Sequence, residues 1–146
     1  MEGMDINYLA MVVAAIIPLF TGFIWYHPKV MGTAWMKESG MTEEKAKSMN
    51  PGKTYGLAVV FAFLAAFFLW GQVMFGGGGG EIHGAEPYMT FKHGAFHGAL
   101  ISVMIVLPVF ATNALFEQKS FKYVAINVGY WVVTFALMSG LLNAWT

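Results

Sequence analysis

The sequence predicts an all-α integral membrane protein, a four-helix bundle with a short interfacial helix in its first loop. Three observations carry this. The 146 residues are 58% apolar and 11% charged, where a soluble domain carries roughly 25% charged residues. So small a body has too much surface to hide that much apolar side chain from water. Four apolar runs, at about 8–26, 55–75, 94–116 and 123–145, contain no Lys, Asp or Glu. Seven of the eight lysines fall in the first and third of the loops between them.

Each run is long enough, at about 1.5 Å per residue, to cross a hydrocarbon core of roughly 30 Å. Backbone in lipid must satisfy its own hydrogen bonds, so each run is expected to be a helix. A soluble bundle would show a polar face at helical spacing, yet residues 57–69 carry no polar side chain. The single domain is therefore expected to span 1–146 with lipid as its main partner.

The first run opens at Tyr8 and closes at Trp25 and Tyr26; Tyr55 opens the second and Trp70 lies near its end, and Tyr123 and Trp145 bracket the fourth. Amphipathic rings favour the headgroup layer, which supports these limits. Trp131 falls well inside the fourth run and is expected to pack in the bundle or face lipid. Pro18 and Pro108 lie inside the first and third runs. Each removes a backbone donor, which predicts a helix kink. Broken helices of this kind also line binding sites in transporters.

The first loop holds Lys29, Lys37, Lys45, Lys47 and Lys53. Pro28 suits the first turn of a helix, and Val30, Met31, Ala34 and Trp35 would fall on one face of it, lying in the interface. Thr42 is a candidate cap for a second short helix over 43–49, stopped by Asn50-Pro51-Gly52; a solvated linker is the plainer alternative. The second loop starts with five glycines at 76–80, a flexible tether. No Gly-Lys-Ser/Thr follows, so it is no phosphate cradle. By the positive-inside rule the first and third loops face the cytoplasm and both termini lie outside. The acidic start lacks a basic n-region, so the first run is expected to stay as an anchor.

Net charge is zero and Arg is absent. That argues against a nucleic-acid partner, which needs a basic face. There is no Cys, so thiolate metal sites and cysteine nucleophiles are excluded. No carboxylate falls inside a run, and Gly-x-Ser-x-Gly is missing. Neither a proton-coupled carrier nor a nucleophilic hydrolase finds its usual groups. No catalytic constellation is visible.

His93 and His97 are four apart and share a helix face. Two imidazoles at that spacing suit one metal ion, and His83, with Glu81 and Glu86, precedes them on the outer side. Zinc would be the cofactor of such a set. The plainer role is a polar ring at a helix end meeting water, headgroups or a neighbouring helix. Small residues recur at four-residue steps: Ala10, Ala14, Pro18 and Gly22; Ala58, Ala62 and Ala66; Gly94, Gly98 and Ser102; Ala136, Gly140 and Ala144. Such rows let helices approach closely in lipid, and Gly94, Gly98 and Gly140 are the expected contact points.

Residues 7–37 contain Trp25-Tyr26-His27-Pro28-Lys29, then Gly32 and Trp35-Met36-Lys37, followed by Met41-Thr42-Glu43-Glu44. The last run holds Asn127-Val128-Gly129-Tyr130-Trp131 and Gly140-Leu141-Leu142-Asn143-Ala144-Trp145. In these motifs and their order the chain resembles the bacterial membrane family catalogued as domain of unknown function 1761. The glycine tract and the His93–Gly98 stretch depart from the commoner pattern. The resemblance implies four spans in a bacterial inner membrane and an interface motif of Trp25, Tyr26, Pro28, Gly32 and Trp35. It brings no activity. Two functions therefore stand as expectations, with a membrane enzyme using an outer-face zinc as a third. One is a non-catalytic membrane component that forms a homo-oligomer or joins a larger membrane complex. The alternative is a small transporter or channel for a metal ion or small solute that uses the outer histidines.

Overall fold

The computed structural model describes residues 6–77 and 89–145, and these hold helices and no strand. Helix α1 is Tyr8–Trp25. A single π turn, Pro28–Gly32, leads directly into α2, Thr33–Ser39. Then come α3, Glu43–Lys47, and α4, Pro51–Gly77. After the second loop, α5 is Phe91–Ile101, a second π turn covers Ser102–Val106, and α6 is Leu107–Phe116. The last helix, α7, is Phe121–Ala144. Four stretches are long and apolar enough to cross a membrane: α1, most of α4, the α5–α6 unit and α7.

Side-chain caps set the helix starts. Asn7 Oδ1 accepts from the Ala10 N–H (3.0 Å), Thr42 Oγ1 from Lys45 (3.2 Å), Asn50 Oδ1 from Lys53 (3.0 Å) and Ser120 Oγ from Tyr123 (3.0 Å). Each satisfies a backbone donor that the first helical turn leaves over. Asn50-Pro51-Gly52 therefore opens α4 as well as following α3, because proline at the first helical position has no N–H to waste. Gly40 ends α2 with φ of 72°, the left-handed conformation that a side chain disfavours.

Helix α7 is the hub. Half of its membrane window is buried, against 22% or less in the other three spans. It packs most extensively on α5, and also on α1 and α4. The main core joins Ala10, Met11 and Ala14 of α1, Ala66, Leu69 and Trp70 of α4, and Met138 and Leu142 of α7. A second cluster sets Ala114 of α6 against Val124 and Val128 of α7. Large apolar side chains on the outer faces stay exposed, among them Phe20, Phe23, Phe61, Phe96 and Phe116. Water would penalise so much open apolar surface and lipid would not.

Three local features add to these expectations. Trp70 lies near the end of its span, which runs to Gln72, and its ring is buried in the core beside Leu69. Trp25 and Tyr26 are turned toward α7, which offers both rings hydrogen-bond acceptors. Val30 and Met31 of the interfacial segment are exposed, which leaves them open to the headgroup layer, while other residues of the segment pack on the bundle. The π turn rotates the chain so that Gly32 is buried and Trp35 meets Tyr26.

Candidate functional site

The motif at the end of α1 builds a brace onto the start of α7. The Trp25 Nε1–H donates to the Ile126 carbonyl (3.0 Å), and its ring lies over Gly129, where a Cβ would meet it at 3.0 Å. The Tyr26 hydroxyl donates to Asn127 Oδ1 (2.8 Å), while Asn127 Nδ2 donates to the Tyr123 carbonyl (2.8 Å). The Tyr26 ring packs between Trp35 (centroids 5.5 Å apart) and Tyr130 (5.2 Å). Deeper in, the Tyr130 hydroxyl donates to the Pro18 carbonyl (2.7 Å), and the Thr21 and Thr134 hydroxyls pair at 2.8 Å. Trp131 is half-buried beside Tyr130 and Phe135 of its own helix.

The π turn explains the motif's Pro28 and Gly32 together. The Gly32 N–H donates five residues back to the His27 carbonyl (3.0 Å), and the Thr33 hydroxyl donates to the Pro28 carbonyl (2.9 Å). This wide turn presses Gly32 onto the Tyr26 carbonyl, where a Cβ has no room. Beyond it the first and third loops are tied together. Lys119 Nζ donates to the Ser39 carbonyl (3.0 Å), and the Ser120 hydroxyl donates to the Glu38 carboxylate.

The two prolines are treated differently. Helix α1 runs through Pro18 without interruption. Pro108 stands two residues after the second π turn, at whose end the Leu107 N–H reaches five residues back to Ser102. The wider turn makes room where the proline ring would crowd the carbonyl four residues earlier.

On the other side of α7, Gly94 and Gly98 face α7 at very close range. A Cβ on Gly94 would run into the Ser139 carbonyl, and one on Gly98 into that of Phe135. Ser102 continues the row; its hydroxyl donates to the carbonyls of Gly98 (3.1 Å) and Trp131 (3.0 Å). Gly140 receives the Phe91 ring. Asn143 Nδ2 donates to the Thr90 carbonyl (2.6 Å) and Asn7 Nδ2 to that of Trp145 (2.9 Å), which fastens this end of the bundle.

His93 and His97 come together, with their Nε2 atoms 3.1 Å apart. Among the described residues no third His, Asp or Glu completes a metal-binding group with them. His83, Glu81 and Glu86 lie outside the described residues, as does most of the glycine tract.

A cavity of about 630 Å³ opens between α1 and α4 at the lysine-rich end. Pro18, Gly22, Phe23, Tyr26, His27, Tyr55, Ala58 and Tyr130 are among its walls. Its size falls within the range of small-molecule sites, roughly 300–1,000 Å³. Nothing in the sequence periodicity marks this cavity, because it arises where two helices part rather than from the pattern of either.

The sequence profile of a family described as "Protein of unknown function (DUF1761)" matches residues 9–143. The chain belongs to that family. No curated protein and no solved structure matches it.

Proposed function

We propose that this DUF1761 member is a non-catalytic component of the bacterial inner membrane that associates with a second copy of itself or with a larger membrane complex. One observation carries the reading. Leu57, Phe61, Leu64 and Phe68 are exposed on α4. Their spacing of four, three and four places them in one stripe of large side chains, the arrangement that knobs-into-holes packing uses. Small-residue rows contribute less to this reading than the sequence suggests. Ala10 and Ala14 face Ala66 in the core, and Gly94 and Gly98 face α7, so those rows hold the chain to itself. The chemically richest residues, Trp25, Tyr26, Asn127 and Tyr130, serve as braces, which also fits a component without catalysis.

The chain has no Cys, so single cysteines report contacts cleanly. Leu64→Cys in native membranes should give one dominant crosslinked adduct with a short bifunctional maleimide. Phe20→Cys, on another helix, should not give the same one. A chain that forms no adduct at Leu64→Cys at any expression level contradicts the proposal.

A further inference from the structure

We infer that the cavity between α1 and α4 is a binding site for one anionic phospholipid, with its phosphate at the lysine-rich rim and an acyl chain along the inner wall. The wall is apolar: Leu19, Phe23 and Ala58 face it beside Pro18 and Gly22. Free phosphate gains nothing from such a surface, whereas an acyl chain does. The rim is of opposite character. His27, Thr54 and Tyr55 stand at it. Lys53 and Thr54 line a neighbouring hollow of about 550 Å³ that shares Thr54 and Ala58 with the first, so Lys53 sits next to the opening.

The donors at this rim suit a phosphate. His27 Nδ1 accepts from the Lys29 backbone N–H (3.2 Å). Its proton therefore resides on Nε2, which makes that nitrogen a donor. Lys53 is exposed, Lys29 is an exposed lysine two residues after the rim residue His27, and no acidic side chain is among the residues lining either hollow. Lys47, by contrast, is paired with Glu43 at 3.6 Å. An anionic headgroup gains from each basic residue held near it, and a zwitterionic one gains far less.

Native mass spectrometry of the delipidated full chain, titrated separately with phosphatidylglycerol and phosphatidylcholine, tests this. The unaltered chain should retain phosphatidylglycerol with at least about fivefold preference. The double variant Lys29→Gln/Lys53→Gln should lose the preference, and Lys45→Gln, an exposed lysine elsewhere in the loop, should keep it. Thr54→Phe at the rim and Ala58→Phe at the wall should each reduce retention of both lipids. Equal retention of the two lipids by the unaltered chain overturns the inference. So does a loss of preference in Lys45→Gln as large as in the double variant, or undiminished retention in Thr54→Phe. The rim substitutions change exposed side chains, so the result does not hinge on a core variant that fails to fold.

Discussion

Gly98 has no room for a side chain. A valine there would force α5 away from the Phe135 carbonyl and from Ser139 along most of the α5–α7 contact. Gly98→Val should lower the thermal midpoint in detergent sharply, with a loss of about 1–3 kcal/mol or more for an overpacked site. Ser139 gives the opposite expectation. Its hydroxyl is fully buried and has no hydrogen-bond partner among the described residues. A buried polar atom left unsatisfied costs about 1–3 kcal/mol, so Ser139→Ala should leave the midpoint unchanged or raise it. Tyr26→Phe removes one interhelical hydrogen bond, worth about 0.6 kcal/mol on average in a membrane, and should lower the midpoint slightly. The small-residue row of Gly94, Gly98 and Ser102 is legible in the sequence. The carbonyls it presses against are not, because small-residue spacing says which face is narrow and nothing about what lies opposite.

At the scale of elements, long apolar runs identify all four membrane-length helices. Their ends are harder to read. Caps such as Asn50 and Thr90 begin helices several residues before the apolar run does, so Pro51 and Phe91 are already helical. The π turn at Pro28–Gly32 is invisible to any reading that assumes 3.6 residues per turn, yet it decides which face of the interfacial segment packs. Gly32→Ala places a methyl against the Tyr26 carbonyl and should undo this turn. Trp25 and Trp35 should then become more accessible to an aqueous quencher. Unchanged quenching would mean that the turn does not hold the brace. Trp25 and Trp70 lie at or near the ends of their spans, yet both rings turn inward, because a ring that suits headgroups also suits a hydrogen-bonded or tightly packed interior.

For the whole molecule, α7 organises the rest: α5 packs on it from one side, α1 and α4 from another, and the first and third loops are joined over its start. That joining requires the two lysine-bearing loops to share one face, which an even number of spans between them provides. The cavity belongs to this scale, since it is made by how two helices diverge; the α4 stripe is spelled by one segment, and the packing of the others leaves it uncovered. Four helices are long and apolar enough to cross a membrane, and the lysine distribution leads us to propose that the first and third loops face the cytoplasm. Single-cysteine labelling of intact cells with a membrane-impermeant maleimide tests it most directly. Lys92→Cys should be labelled from outside, and Lys45→Cys only after the membrane is opened. Labelling of both from outside, or of neither until the membrane is opened, would contradict it.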